Sequence, residues 1–177
     1  MILSAQNINI KYDKNLIIND QSFSIKEGCI NVFLGKNGCG KSTVFKSLCK
    51  QLKPSSGRIL LNENDIKNIN TKEFAKKVGI LFQENITPND ITVKNLISYG
   101  RFPHLSIYSD LSEDDYKMIE NSMILTNTKE FENKKIGELS AGQKQLVWIA
   151  LLLAQDSNIM FFDEPTTYLD LKNQFQI

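Results

Sequence analysis

The sequence has no apolar run long enough to cross a membrane, which restricts where the protein can act. Its longest such run, residues 146–154, is about half of the roughly 20 residues that a spanning helix needs. The first residues alternate between apolar and polar side chains, without the continuous apolar segment of a signal peptide. We therefore expect a soluble protein, or one that reaches a membrane only through a partner.

Arginine, cysteine and histidine are scarce as well. Arg58 and Arg101 are the only arginines, and the 21 basic and 20 acidic residues leave a net charge of +1. With basic and acidic residues nearly equal in number, the sequence does not show the basic patch of a nucleic-acid-binding protein. No nucleic-acid partner is therefore predicted. The three cysteines are odd in number and lack metal-site spacing, which is typical of a reducing cytosol.

A glycine-rich segment follows residues 30–34, an apolar run that predicts a buried strand. The segment, GKNGCGKST at residues 35–43, fits the pattern G-x-x-x-x-G-K-[ST] that cradles a triphosphate. Gly35, Gly38 and Gly40 let backbone N–H groups converge on an anion. A helix is predicted to start at Lys41. It would point the positive end of its dipole at the same phosphates.

The polar residues of this loop have expected nucleotide partners. Lys41 would reach the β- and γ-phosphate oxygens, the Ser42 hydroxyl would bind Mg²⁺, and Thr43 would touch the α-phosphate. Asn37 and Cys39 complete the nucleotide-binding loop. A glycine turn that only caps an amphipathic helix is the plain alternative, but it does not require lysine followed by serine.

A second predicted strand, residues 158–162, ends in two carboxylates. Asp163 can hold Mg²⁺ through its water shell, and Glu164 can act as the general base that polarises the attacking water. A strand that ends in a solvated acidic turn is the alternative. The upstream phosphate loop favours the catalytic interpretation.

The segment LSAGQ, residues 139–143, precedes a predicted apolar helix. Ser140 and Gln143 form a capping box, and a plain helix start would explain both. Ala141 and Gly142 are small, so an anion could approach the helix N-terminus. Placed between the phosphate loop and the Asp-Glu strand, this segment resembles the LSGGQ signature of ABC-type ATPases, with alanine in place of one glycine.

The resemblance implies roles for further residues. Tyr12 would stack on adenine, although an ordinary strand tyrosine would look the same. Gln83 would be the Q-loop glutamine, a catalytic residue that senses Mg²⁺ and the γ-phosphate beside a membrane partner; a plain polar residue at a strand end is its alternative. In an ABC dimer, four residues would contact the other copy or the ATP that it holds: Ser140, Gly142, Gln143 and Asp170.

The resemblance also implies the architecture. The fold class is α/β: a P-loop NTPase (RecA-like) core with an N-terminal antiparallel β subdomain and a helical insertion. Alternation in residues 1–10 and 16–25 predicts the first hairpin. Residues 1–177 would form a single ABC ATPase domain that is incomplete at its C-terminus, with residues 84–135 inserted as the helical subdomain.

Two segments are similar to the importer ATPases that serve iron-siderophore and cobalamin permeases: GRFPH at residues 100–104 and EPTTYLD at residues 164–170. This implies ATP and Mg²⁺ as cofactors. The implied partners are a second ATP-binding subunit, integral membrane permease subunits and, indirectly, a substrate-binding protein. The location would be peripheral, at the cytoplasmic face of the membrane.

Two other functions stay open: a soluble ABC ATPase without a permease, and a non-catalytic nucleotide-binding fragment. Residues 166–170 resemble the D-loop of the ABC family. Family members continue beyond this loop to a histidine that contacts the γ-phosphate. His104, the only histidine, lies in the insertion and does not match it. We therefore expect the chain to bind nucleotide but to hydrolyse it poorly.

Overall fold

In the computed structural model, the N-terminal residues form the hairpin that their alternating pattern predicts. Strand β1, Leu3–Tyr12, pairs antiparallel with β2, Asn15–Ile25. The inward positions are apolar, and Leu3, Ile8 and Ile10 are fully buried. The structure describes residues 2–13, 15–36, 38–83, 85–86, 88–106 and 109–164, which divide into two compact units, Met1–Phe74 and Ala75–Ile177.

The N-terminal unit contains a four-stranded antiparallel sheet in the order β2-β1-β3-β4. Strand β3 is Ser56–Leu61 and β4 is Asn64–Asp65. Gly57 has φ +83°, and a Cβ there would collide with the Asn7 carbonyl, so the close approach of β3 to β1 requires glycine. Helix α1, Lys41–Leu48, begins at the predicted residue. A 3₁₀ turn at Ile66–Asn68 and helix α2, Thr71–Ala75, follow the sheet along the chain.

The strand predicted over residues 30–34 does not form. Phe33 faces inward and packs edge-on against Phe23 and Phe45, with ring centroids 5.3 and 5.2 Å apart. The backbone of residues 30–34 pairs with no strand among the described residues. An apolar run becomes a strand only where a neighbour takes up its N–H and C=O groups. Three side chains on the other face are 95%, 70% and 89% exposed: Ile30, Val32 and Leu34.

The second unit contains the parallel pair of strands. Strand β5, Val78–Leu81, lies beside β6, Ile159–Phe162, in a register that pairs Leu81 with Phe162. Helix α5, Ala141–Ala154, packs on these strands through Ile149 and Leu152. The strand predicted over residues 158–162 is confirmed as β6 within one residue, and the apolar helix predicted after the LSAGQ segment is confirmed as α5.

The region between β5 and α5 is helical. Helix α3 is Val93–Ser98 and α4 is Glu113–Leu125, with 3₁₀ turns at Tyr99–Arg101, Lys129–Phe131 and Ile136–Glu138. Ser112 and Asp115 form a capping box at the start of α4. None of the helices in the described ranges is long and apolar enough to cross a bilayer. The apolar faces of α3, α4 and α5 share one core, whose central residues are Val93, Ile97, Ile119, Met123, Val147 and Ala150.

The importer-like segment GRFPH fixes the C-terminal end of α5. Arg101 is buried, its Nε donates to Asp115 Oδ1 at 2.7 Å, and its Nη1 donates to the Ala154 carbonyl at 2.8 Å. His104 Nε2 lies 2.8 Å from the Gln155 carbonyl. A Cβ on Gly100 would collide with the last turn of α5, so only glycine permits this approach. The segment thus has a structural role that its sequence did not reveal.

The Arg101–Asp115 pair predicts loss of stability in acid. Burial alone would raise the pKa of Asp115, but hydrogen bonds from Ser112 and Arg101, with the Arg101 charge, outweigh it and lower the pKa from 3.8 to about 2. Because the folded pKa lies below the unfolded one, this stabilisation is present above about pH 4 and lost as the pH falls towards 2. The shift corresponds to about 2 kcal/mol in the free energy of unfolding.

Urea unfolding of the wild type and of Asp115→Asn at a series of pH values measures this contribution. The difference in unfolding free energy between the two should shrink as the pH falls from about 4 to 2. Asp114→Asn is the matched control, because Asp114 forms only an exposed ion pair with Lys117 at 3.0 Å. A difference that stays constant over this range would contradict the assignment.

Candidate functional site

The phosphate loop ends where α1 begins. Gly40 is the N-cap of α1 with φ +97°, and no side chain caps this terminus. The first N–H groups of the helix therefore have no side-chain acceptor, which leaves them for an anion. A Cβ on Gly40 would lie 2.7 Å from Ile18 Cδ1, so β2 packs closely against the end of the loop.

Lys41 is folded back into the loop. Its Nζ donates to the Gly35 carbonyl at 2.9 Å and to the Lys36 carbonyl at 3.0 Å. The loop is tight here, because a Cβ on Gly35 would lie 2.6 Å from Cys39 Sγ. A cationic group held in a glycine loop at an uncapped helix start fits the triphosphate prediction.

The other predicted nucleotide contacts of this unit lie on neighbouring elements. Tyr12 is the last residue of β1, opposite Asn15, and its side chain is 44% exposed, so its ring is available for stacking. Ser42 is exposed and Thr43 is half-buried in the first turn of α1. Two predicted contacts, Asn37 and Asp170, lie outside the described residues.

The second unit brings Gln83 and Glu164 together. Strands β5 and β6 end side by side, and Asp163 N continues the ladder by donating to the Leu81 carbonyl at 2.9 Å. Beyond this point Gln83 Nε2 donates to Glu164 Oε2 at 2.9 Å. The sequence predicted both residues from separate motifs but not their contact. The signal that could have found it is that neighbouring parallel strands present their carboxyl ends at one edge.

Glu164 also has an uncommon backbone conformation, with φ +51°. A non-glycine residue in the left-handed region is most often held there by its surroundings, and such residues cluster at functional sites. In this conformation the Glu164 carboxylate accepts the hydrogen bond from Gln83 at the end of the strand.

The signature segment forms its predicted capping box. The Ser140 hydroxyl accepts from Gln143 N at 3.2 Å, and Ser140 N donates to Gln143 Oε1 at 2.9 Å. A hydroxyl that accepts one hydrogen bond still has its own hydrogen to donate. Capping and contact with a phosphate oxygen are therefore compatible at Ser140. Gly142, in the first turn of α5, adds no side chain that would obstruct an anion.

The predicted Mg²⁺ ligands are of the right chemical type. The ion prefers oxygen ligands and in nucleotide sites is held by one or two carboxylates together with substrate phosphates. Ser42, Gln83 and Asp163 offer a hydroxyl, an amide oxygen and a carboxylate. The described residues contain no group of three or more His, Cys, Asp or Glu side chains placed to hold a metal. A site in this chain would therefore need water and substrate oxygens to complete it.

Comparison with known proteins places the chain in a family. The family model described as ABC transporter matches residues 18–167. The chain belongs to the ABC transporter family. This match spans both units, from strand β2 to the residues beyond Glu164.

Two relatives of this chain have names that describe import. The chain is 39% identical to the petrobactin import ATP-binding protein FpuD of Bacillus anthracis, over 99% of this chain and 64% of that protein. It is 41% identical to the iron(3+)-hydroxamate import ATP-binding protein FhuC of Bacillus subtilis, over 99% of this chain and 65% of that protein. It thus spans slightly less than two thirds of these relatives.

Solved structures show the same fold. The chain superimposes with a TM-score of 0.81 on a putative metal-chelate type ABC transporter, at 28% identity over 98% of this chain and 64% of the other. It superimposes on a bacterial Atm1-family ABC exporter with a TM-score of 0.85, at 26% identity over 99% of this chain and 31% of the other. The predicted α/β P-loop NTPase fold is confirmed.

Alkylation of the three cysteines can test whether nucleotide binds at the phosphate loop. Cys39 is exposed and lies in the phosphate loop, beside the α1 N-terminus and two residues from Lys41. Cys29 is exposed too, whereas burial raises the pKa of the Cys49 thiol to about 12. At near-neutral pH, alkylation should be slower at Cys49 than at Cys29 and Cys39, and a Mg²⁺-bound ATP analogue should protect Cys39 alone.

Mass spectrometry of each cysteine peptide after timed alkylation gives the three rates, with Cys29 as the internal control for exposure. Equal rates at all three cysteines, or no protection of Cys39 by the analogue, would show that this thiol is an inert filler of the loop.

Proposed function

We propose that this chain is the ATP-binding and ATP-hydrolysing subunit of an ABC importer, and that it energises uptake of an iron-siderophore or a related metal chelate. The observation that carries the catalytic part is the contact between Gln83 and Glu164 at the shared end of β5 and β6. The named functions of FpuD and FhuC support the transport part. Residues 1–177 would act as one ABC ATPase domain, with residues 84–135 as its helical insertion.

Substrate binding begins in the phosphate loop. Lys41 exchanges its two carbonyl acceptors for β- and γ-phosphate oxygens, and Gly35, Asn37, Gly38, Cys39 and Gly40 supply the surrounding backbone. Thr43 contacts the α-phosphate, and Tyr12 stacks on the adenine. These contacts hold the triphosphate in place and neutralise part of its charge.

Hydrolysis relies on positioning and on one proton acceptor. Glu164 orients a water molecule and accepts its proton as the bond from the water oxygen to the γ-phosphorus forms. The bond between the γ-phosphorus and the β–γ bridging oxygen breaks in the same step, and ADP leaves with that oxygen. Ser42, Asp163 and Gln83 would hold Mg²⁺, which, when bound, neutralises charge on the β- and γ-phosphate oxygens. Gln83 donates to Glu164 through Nε2, so its amide oxygen is the atom that would bind the metal.

Assembly would complete the site. Ser140, Gly142, Gln143 and Asp170 of one copy would contact the ATP bound to a second copy. The insertion beside Gln83 would receive the integral membrane permease, with a substrate-binding protein acting from the far side. The subunit would then lie peripherally at the cytoplasmic face of the membrane.

Affinity capture from a detergent-solubilised membrane extract tests the transport assignment. We expect the tagged chain to retain permease subunits of an iron-chelate importer, identified by mass spectrometry, and to lose them to excess untagged chain. Capture of soluble factors of iron–sulfur assembly or of translation, without any permease, would support the soluble ABC ATPase instead. Failure to bind a Mg²⁺-bound ATP analogue in calorimetry would overturn the nucleotide assignment itself.

A further inference from the structure

A cleft of about 400 Å³ opens in the N-terminal unit, and it shares no residue with the phosphate loop. It lies between the end of α1, the loop that leads to β3, and the 3₁₀ turn after β4. A volume of this size is within the range of small-molecule sites. Its lining residues come from the stretches 47–59 and 65–67.

The cleft has an excess of positive charge. Lys67 Nζ forms a salt bridge with Asp65 Oδ2 at 3.1 Å. Asp65 is the one acidic residue among those that line the cleft, so its charge is already paired. Lys50 Nζ donates to the Ile69 carbonyl at 2.6 Å, which is an uncharged acceptor. Lys53 and Arg58 are exposed and have no ion-pair partner in the part of the chain that the structure describes. Three cationic groups therefore face the cleft without a compensating carboxylate.

Arg58 is notable because guanidinium groups are rare in this chain. The other arginine, Arg101, is committed to a buried ion pair. A guanidinium presents its donors as a planar fork that matches a carboxylate or a phosphate in two parallel hydrogen bonds. The one arginine outside the core is thus placed where it can bind an anion in this geometry.

Ser47 provides an independent indication of a ligand. It lines the cleft from the last turn of α1, is only 1% exposed, and its hydroxyl has no hydrogen-bond partner in the described structure. A buried hydroxyl without a partner is destabilising, and an oxygen of a bound molecule would offset this cost. The remaining wall is apolar, formed by Leu52, Pro54, Ile59 and Ile66.

We propose that this cleft is a second ligand site, which binds a small organic anion: a carboxylate or a phosphate monoester attached to a short apolar body. Arg58 and Lys53 bind the charged oxygens, Ser47 donates to one of them, and the apolar wall covers the body. The site is independent of the nucleotide site, so its occupancy can be measured without reference to ATP hydrolysis.

Titration followed by amide nitrogen–proton NMR spectra of the whole chain tests the site residue by residue. The probes are phenyl phosphate, benzoate and inorganic phosphate at physiological salt. Amides of residues 47–58 and 66–67 should shift together, whereas those of residues 38–43 report the phosphate loop separately. Phenyl phosphate or benzoate should bind at least about fivefold more tightly than inorganic phosphate, because only they can use the apolar wall. Which of the two binds more tightly distinguishes a phosphate from a carboxylate ligand.

Variants assign the residues. Lys53→Gln with Arg58→Gln should weaken phenyl phosphate or benzoate by at least about tenfold, since both charge-assisted contacts are lost. Ser47→Ala should weaken binding by about threefold and leave thermal stability unchanged or higher, because it removes an unpaired buried hydroxyl. Lys117→Gln with Lys134→Gln removes the same charge from the other unit and should change nothing.

Equal affinity for inorganic phosphate, or equal binding by the Lys53/Arg58 variant, would mean an adventitious ion only and would overturn the proposal. Shifts confined to residues 38–43 would overturn it too, while leaving the nucleotide site intact. Conversely, failure to bind a nucleotide analogue would contradict the proposed ATPase without affecting this cleft.

Discussion

Lys41→Ala is expected to weaken the binding of a Mg²⁺-bound ATP analogue by at least about 100-fold. Lys41 is the lysine that the phosphate-loop pattern assigns to the β- and γ-phosphates, and charge-assisted hydrogen bonds are the stronger kind. A 100-fold change corresponds to about 2.7 kcal/mol of binding free energy. Calorimetric titration with a non-hydrolysable analogue measures it directly.

Lys46→Ala is the matched control, because Lys46 is an exposed lysine of the same helix, in its last turn. It removes one positive charge from α1 without touching the loop and should leave the affinity within about twofold. Thermal unfolding should be similar for both variants, since the carbonyls that Lys41 releases, Gly35 and Lys36, are exposed to water. Similar affinities of the two variants would mean that the loop does not hold the phosphates.

Glu164→Gln is expected to abolish hydrolysis while leaving nucleotide binding intact. A glutamine oxygen can still accept the hydrogen bond from Gln83 Nε2, so the local geometry survives, but the amide cannot accept the proton of the attacking water. General bases contribute about 10²–10⁴-fold to such rates. A single-turnover assay with labelled ATP detects a loss of this size even where the wild-type rate is low.

Glu113→Gln serves as the control for charge, since Glu113 lies in the exposed first turn of α4 in the same unit. Its rate should equal that of the wild type. If Glu164→Gln hydrolysed ATP as fast as the wild type, another group would have to accept the proton, and the pairing with Gln83 would be purely structural.

The parts of the fold that could be predicted are those that local chemistry decides. Helices α4 and α5 begin where Ser112 and Ser140 satisfy their first N–H groups, and a capping box is visible in four consecutive residues. The first hairpin was also predictable, because its alternation and its turn lie within one stretch of sequence. In each case the residues that specify the structure are neighbours along the chain.

The parts that could not be predicted depend on partners far away in sequence. The apolar run at residues 30–34 has the composition of a buried strand, yet whether it pairs depends on another strand being beside it. The Gln83–Glu164 contact joins residues 81 positions apart. In the sequence, Arg101 has no visible partner. Its hydrogen bonds are made to Asp115 and to the end of α5, which lie close to it only in the folded chain.

The candidate nucleotide site divides in the same way. The phosphate loop was predictable because its glycines, its lysine and its helix start are contiguous. The sequence did not show that the Lys41 ammonium already donates hydrogen bonds to two carbonyls of the loop. Nucleotide binding must therefore replace existing hydrogen bonds, which lowers the net gain from this lysine below that of a free ammonium.

The capping box at Ser140 limits which residues evolution can place there. Serine, threonine, aspartate and asparagine all cap a helix well, so helix formation alone would accept any of them. An aspartate, however, has no hydrogen to donate when ionised and would bring negative charge towards a triphosphate. A residue that must accept from Gln143 N and also donate to an anion has to carry both functions on one short side chain. Position 140 is thus expected to drift between serine and threonine far more readily than to aspartate, even where aspartate would make the more stable helix.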